Sequence, residues 1–390
     1  MPLLFGVVLL DLIGFGIVIP ILPFLSPQLG ADKMDIAYII VIYAIGAGLF
    51  APYWGRLSDR IGRKPVIMIC LAGAALSYVM LGLASQLWMI FAARGFAGIM
   101  AGNFGVASAM MADITKPENR AKGMGMIGAA FGMGLVLGPL LGGLLSGGGT
   151  SFVLPCIVAG VMSVLAIIAA AVFLPESLSQ EKRAANRAHQ KSGQQGSILA
   201  MLRSTGNRLL VFQYVLHNAS VSSITYLFPL WVGDLLNWSA REVGIVFGVQ
   251  GALIAILQGG VMGPAVRGLG EIRFLRIGVT TCLLGLVVAV FADTMPLMVA
   301  SAFISLSGAT LCMPLLNTIV TYRTPNELRG RMMGTTGAAS SWGRVAGPLL
   351  AGVNLALFGY TGAWVGCLLI VFFYCIWAWT LQERSIERIA

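Results

Sequence analysis

Six apolar stretches of membrane-crossing length fall in the first half of the chain, near 3–25, 36–55, 66–84, 87–112, 122–146 and 152–174. Six more fall in the second half, near 208–232, 242–263, 274–292, 295–320, 331–357 and 360–381. About 20 apolar residues in a helix cross the ~30 Å hydrocarbon core of a bilayer. Inside that core no water bonds the backbone N–H and C=O groups, so each stretch must satisfy them internally. Only 10% of the 390 residues are charged, against about a quarter in a soluble domain. The 50 glycines lie mostly inside these stretches rather than in linkers, where small residues let two backbones approach closely. The expected fold is an all-α membrane protein with twelve transmembrane helices, embedded in a lipid bilayer.

The net charge of +10 raises the question of nucleic acid, but its distribution points to topology. Basic residues cluster in alternate loops: Arg56, Arg60, Arg63 and Lys64; Lys116, Arg120 and Lys122; Lys182 to Arg208; Arg267, Arg273 and Arg276; Arg323, Arg329 and Arg331; Arg384 and Arg388. The intervening loops hold Lys33 and Arg241 alone. This positive-inside asymmetry puts both termini in the cytoplasm. A nucleic-acid surface would need a basic face interleaved with stacking aromatics, and none is present. The six cysteines lie in or beside apolar stretches without metal-ligand spacing, so free buried thiols are expected. The first stretch has no charged leader region or small-residue cleavage site and is expected to be a retained span.

The one long polar segment, ESLSQEKRAANRAHQKSGQQGS (176–197), is too polar to span. It divides the chain into an N-terminal six-helix bundle (1–175), a cytoplasmic linker (176–206) and a C-terminal six-helix bundle (207–390). The halves are related in sequence. At an offset of 209 residues, GAAFGMGLVLGPLLGG (128–143) meets GAASSWGRVAGPLLAG (337–352), and the glycine–proline phrase recurs in register. Parallel repeats of this kind build a binding site near the bilayer midplane, between halves that rock against each other.

GRLSDRIGRK (55–64) matches the signature between spans 2 and 3 of the major facilitator superfamily, and GLVLGPLLGG (134–143) matches the span 5 signature of its antiporters. LIGFGIVIPILP (12–23) and RGFAG (94–98) are similar to the span 1 and span 4 signatures of the twelve-span drug:proton antiporters. The nearest resemblance is to bacterial tetracycline/proton antiporters. It implies the major facilitator fold, with two pseudo-symmetric six-helix bundles, and a place in the cytoplasmic (inner) membrane of a bacterium. It also implies multidrug efflux and antibiotic resistance. Two positions depart from that pattern. The span 3 Asp and span 8 His of the tetracycline exporters fall on Ser77 and Ile254, which argues for a different cargo.

Asp11 is the only acid deep in a span, about eight residues from its start and so ~12 Å in. A lone carboxylate at that depth is costly unless it is protonated, paired or hydrogen-bonded. It is either a proton carrier or a structural acid held by partners. Arg94 lies at a depth within ~6 Å of Asp11. The resemblance links its position with proton handling, and the alternative is a permanent ion pair or carbonyl bonding. Arg344 stands mid-span in span 11 where the first copy of the repeat has Leu135. Two arginines against one acid leave the membrane interior positive, which favours neutral, zwitterionic or anionic cargo. Otherwise Arg344 snorkels or bonds to carbonyls near Pro348.

The resemblance assigns Gly55, Asp59, Arg60, Gly62, Arg63 and Asp113 to a cytoplasmic gate, in which the loop Asp caps the start of span 11. Gly134, Gly138 and Gly142 recur every four residues on one helix face, as small-xxx-small packing requires. With Gly143, Pro139, Gly347 and Pro348 they form the expected hinge and packing seam, Pro139 removing a backbone hydrogen bond. Polar or aromatic side chains able to contact cargo are Gln213, His217, Asn218, Tyr226, Gln250, Gln258, Asn317 and Trp342, although such groups also serve to bond neighbouring helices. No metal site and no cofactor are expected, because no metal cluster or phosphate-binding loop occurs. The expected protein is a monomeric, proton-coupled antiporter exporting a small amphipathic compound, and not an enzyme. A lipid or glycolipid translocator, or an exporter of an endogenous metabolite, is the alternative on the same scaffold.

Overall fold

The computed structural model describes residues 1–116, 120–147, 152–178, 205–324 and 329–381, with the side chains of 120–122, 205 and 329–331 left aside. The expected linker (176–206) falls almost wholly outside the described residues. No strand occurs among those described. Span 1 is α1 (Pro2–Val18) followed by α2 (Leu22–Gln28), bent by 45°. Span 2 is α3 (Lys33–Ile61) and span 3 is α4 (Arg63–Gly82). Span 4 is α5 (Leu87–Ile99) and α6 (Asn103–Ile114). Spans 5, 6 and 7 are α7 (Arg120–Leu145), α8 (Val153–Phe173) and α9 (Thr205–Leu236). Span 8 is α10 (Ala240–Ile256), a π turn (Leu257–Val261) and α11 (Met262–Leu269). Spans 9 and 10 are α12 (Glu271–Phe291) and α13 (Met295–Arg323). Spans 11 and 12 form one helical run, α14 (Arg329–Thr380), divided at Gly359, whose φ of 67° lies in the region that glycine tolerates best. Counted this way, the described helices make the twelve expected spans.

The structure refines two expectations. Spans 1 and 4 are each broken rather than continuous. The signature GRLSDRIGRK is not a loop: it forms the last turns of α3, the stop at Gly62 (φ 112°) and the first turn of α4. Its charges therefore stand on two helix ends, where spacing is fixed by helical geometry.

The outward faces are apolar. Val161, Val164, Leu165 and Ile168 of span 6 are exposed, as are Phe372, Phe373 and Ile376 of span 12. Apolar area on this scale marks contact with something other than water, and on helices of this length that is lipid.

The described residues divide into two compact units. One gathers Met1–Asp32, Ile42–Gln195 and Trp238–Ala252; the other gathers Lys33–Val41, Gly196–Asn237 and Leu253–Ala390. Each unit thus borrows from the other half of the sequence one helix start, from span 8 and from span 2 respectively. In the first unit, span 1 packs most extensively on span 5, and span 3 packs on span 6. In the second, span 7 packs on span 11, and Arg276 and Thr280 of span 9 touch span 12.

The glycine phrase explains these pairings. A Cβ on Gly138 would lie 2.5 Å from the Cα of Gly16, one on Gly134 would strike Leu12, and one on Gly142 would strike the Ile17 carbonyl. The Gly134/Gly138/Gly142 face is thus where span 5 meets the backbone of span 1. Gly343 and Gly347 do the same against Val215 and Ala219 of span 7. Gly143 lies on the next face and meets Ala240 and Gly244 at the start of span 8. Its repeat partner Gly352 meets Met34 and Ala37 at the start of span 2. The repeated phrase is therefore a repeated contact pattern. Gly138→Leu is expected to cost more than about 3 kcal/mol, because backbone blocks relaxation, and to lower the melting temperature of the purified protein. Gly132→Leu, with nothing within 4 Å of its Cβ, is expected to leave it unchanged.

Candidate functional site

The break in span 4 positions the partner of Asp11. Trp54 of span 2 donates its Nε1–H to the carbonyl of Ile99 at 2.6 Å and packs so tightly on Gly102 that a Cβ there would lie 2.5 Å from the indole. The helix stops at 100–102 and restarts at Asn103, whose Nδ2 donates to Oδ2 of Asp11. Val7, Val8, Ile67 and Phe104 enclose this pair around a cavity of about 10 Å³, of the order of one water molecule. No ion pair joins Asp11 to Arg94.

Arg94 is buried, with its guanidinium over the ring of Tyr43 at 4.3 Å from the centroid and its Nε without a hydrogen-bond partner. This cation–π contact follows from the close approach of spans 2 and 4: a Cβ on Gly46 would lie 2.8 Å from the backbone of Gly98, one turn from each partner. Tyr78, which sequence reasoning missed, is buried in span 3 within electrostatic range of both Asp11 and Arg94. Its hydroxyl lies 3.6 Å from where a Cβ on Gly14, one turn beyond Asp11, would stand. Its neighbour Ser77 spends its hydroxyl on the carbonyl of Ala74.

In the second unit the polar residues divide by duty. Tyr214 donates to Asn317 at 2.8 Å, and the Asn218 side chain bonds back to the carbonyl of Tyr214. Gln213 and His217 are buried, with the Gln213 Oε1 and His217 Nδ1 lacking partners, and the His217 ring meets that of Tyr374 edge-on at 6.0 Å. Gln258 sits in the π turn and donates to the carbonyl of Thr310; such turns recur at functional sites. Gln250, in the first unit, is buried. Arg344 is exposed and donates to the Ser341 hydroxyl at 3.1 Å, beside an exposed Trp342. Tyr226 differs from the expected cargo-contacting aromatic: it is fully enclosed, and its hydroxyl donates to the carbonyl of Lys33.

At the basic-loop end of the first unit, Arg63 gathers the expected charges. Its NH2 lies 2.8 Å from Asp59, its Nε donates to Asp113 at 3.1 Å and its NH1 donates to the Ser58 hydroxyl. Gly62 supplies the turn, while Gly55 and the exposed Arg60 stand on the preceding helical turns. Sequence reasoning missed Glu176. Its carboxylate accepts the backbone N–H groups of Arg63 and Lys64 at 2.9 and 3.2 Å, capping span 3 with a negative charge where the helix dipole favours one. An acid directly after the last apolar residues of span 6 was the available signal.

A second cluster, also missed, lies at the opposite helix ends. Lys33, at the start of span 2, pairs with Asp234 at the end of span 7 and stands 4.8 Å over the ring of Tyr360 in span 12. The Tyr360 hydroxyl donates to Asp234 at 2.7 Å. With Tyr226 on the Lys33 carbonyl and Met34 on Gly352, this ties span 2 to spans 7, 11 and 12. The ion pair is about half exposed, a setting in which such pairs contribute under ~1 kcal/mol. Asp234→Asn is therefore expected to change the melting temperature little. It is expected to speed thiol labelling of a Met34→Cys reporter, because the tie and not the fold is weakened.

Twelve spanning helices, a repeated seam and charged clusters at both helix ends describe a multi-pass membrane transporter. The chain belongs to the major facilitator superfamily, whose family profile matches residues 4–267 and 210–389. It is 32% identical over 362 residues to the tetracycline resistance protein, class C, of Escherichia coli, covering 88% of this chain and 87% of that protein. Identity to the class G tetracycline resistance protein of Vibrio anguillarum is also 32%, over 373 residues, covering 93% and 91%. The crystal structure of the human organic anion transporter MFSD10 (TETRAN) shares the fold, with a TM-score of 0.72 over 96% of this chain and 98% of that one, at 24% identity. The chain is thus a transporter of the drug-antiporter type and not an enzyme.

Proposed function

We propose that this transporter exports a small amphipathic compound across the cytoplasmic membrane of a bacterium in exchange for protons, by alternating access and with no cofactor beyond the proton gradient. The observation that carries the reading is Asp11, the one acid deep in a span, hydrogen-bonded to Asn103 beside a cavity of about one water. A carboxylate so placed can take a proton from one side and release it to the other. Arg94, held on Tyr43, and Tyr78 complete the proton-coupling group in this reading. The halves 1–175 and 207–390 are the moving bodies, joined by the linker 176–206, with both termini cytoplasmic. The Arg63 cluster is the inner gate and the Lys33–Asp234 cluster the outer one. Gly134, Gly138 and Gly142 hold span 5 on span 1, and Gly347 holds span 11 on span 7, so each moving half keeps its own helices in close contact.

Arg344 sets the charge of the cargo. An arginine this far along a span faces a water-filled cavity rather than lipid, and its exposed side chain supports that placement. Trp342 and the polar groups Gln213, His217, Asn218, Gln250, Gln258 and Asn317 supply further contacts. The two relatives at 32% identity are tetracycline resistance proteins, and tetracycline is the natural first compound to test. Ser77 and Ile254 stand where those exporters carry an Asp and a His, which favours another neutral, zwitterionic or anionic compound. The test is a pH-sensitive dye inside proteoliposomes, a proton gradient and a panel of cationic, neutral, zwitterionic and anionic amphiphiles. Proton flux evoked by uncharged or anionic members, and weakened by Arg344→Ala, is the expected result. Flux evoked by cations alone would sink the role of Arg344, and silence across the panel would favour a lipid or metabolite cargo.

A further inference from the structure

A crevice of about 460 Å³ opens between spans 9 and 12, at the end of the second unit that carries Arg267, Arg273 and Arg276. No step of the transport cycle above uses it. Two guanidiniums line it, from Arg273 and Arg276, and its walls are Leu269, Ile277 and the indole of Trp379. Its volume lies in the range of small-molecule sites, about 300–1,000 Å³.

Arg276 is held rather than mobile. Its Nε donates to the carbonyl of Ala378 at 3.2 Å and its NH2 to that of Leu381 at 2.6 Å, so it binds carbonyls that the end of span 12 leaves without helical partners. Its guanidinium carbon lies 5.4 Å from the centre of the Trp379 ring, and Trp379 in turn donates to the Thr280 hydroxyl. A cation fixed this way loses little freedom on meeting an anion. Among the described residues of this helix end the acid is Glu271, which accepts the Tyr322 hydroxyl of span 10.

The surroundings identify the anion. Trp379 is 59% exposed at the end of a span, the position of an interfacial aromatic anchor, and Ile277 and Leu269 are exposed beside it. The crevice therefore opens on the lipid-facing surface at headgroup depth, with two positive charges and apolar side chains in its lining. Basic pockets between membrane helices bind acidic lipid headgroups. We propose that the crevice is a binding site for an anionic phospholipid, its phosphate on Arg273 and Arg276 and an acyl chain along Ile277.

The test uses the full-length protein in phosphatidylcholine nanodiscs, titrated with phosphatidylglycerol and read by native mass spectrometry and by melting temperature. Arg273→Gln is expected to weaken phosphatidylglycerol binding about fivefold, the share of one basic residue near a lipid surface. Ile277→Trp, which fills the crevice without changing charge, is expected to abolish the bound lipid. Arg241→Gln, a charge removed at the opposite helix ends, is expected to leave it unchanged, and inorganic phosphate is expected not to compete. Phosphatidylglycerol bound equally by wild type, Arg273→Gln and Ile277→Trp would overturn the proposal. So would displacement by inorganic phosphate, which would make the site one for a free anion.

Discussion

Asp11→Asn is expected to bring proton-coupled exchange in proteoliposomes down to the level of protein-free vesicles, while gradient-independent counterflow of labelled cargo continues. Asparagine keeps the volume of the side chain and leaves an oxygen for the Asn103 amide, so helix packing around Val7, Val8 and Ile67 is preserved. What is lost is the only group deep in a span that can exist as a carboxylate or an acid. The prediction separates proton coupling from cargo movement: an exchanger that uses Asp11 loses the first and keeps the second. Proton flux at the wild-type rate would show that Asp11 serves packing alone, and the proton route would have to be sought elsewhere.

Arg63→Ala is expected to have the largest effect at the helix ends. One planar guanidinium there answers two carboxylates and a hydroxyl, and its backbone N–H is taken by a third carboxylate, that of Glu176. Removing it takes the cation from both Asp59 and Asp113, and Asp113 keeps the Ser177 hydroxyl at 3.4 Å. Breaking a fully buried pair costs about 3–5 kcal/mol; with the two acids 30% and 27% exposed, water recovers part of that, and a cost of about 2 kcal/mol is expected. The melting temperature should fall by several degrees and transport should slow. Arg63→Lys should recover only part of both losses, since an ammonium cannot reproduce the planar fork. In a double-mutant cycle, Asp113→Asn should cost less in the Arg63→Ala background than in wild type. Additive losses would mean that the pair is not coupled.

Glu176 and Asn103 show where reading the chain stops being enough. Asp59, Arg63 and Asp113 were legible because the signature places two of them one helical turn apart and the third ends an apolar stretch. Glu176 looks like the first residue of a polar linker, and its work is done 113 residues away on the backbone of Arg63. Asn103 looks like one polar residue in a span. It becomes the partner of Asp11 only because Trp54 stops the helix at 100–102. For Tyr226, aromatic type alone suggests a cargo contact and does not reveal that its hydroxyl is spent on the Lys33 carbonyl.

Hydrophobic length, charge asymmetry and the repeated glycine–proline phrase were sufficient to specify an all-helical membrane protein of twelve spans and the faces on which spans 5 and 11 pack. Those properties are local: a bilayer demands a certain length of apolar helix, and a row of small residues admits one neighbouring backbone wherever it occurs. The partners were not local. Lys33 and Asp234 are 201 residues apart, and nothing in either neighbourhood names the other. Their pairing, the seating of Arg94 on Tyr43 and the crevice at Arg276 arise from helix breaks and close approaches, which bring together groups whose affinity is general and whose choice of partner is a matter of geometry.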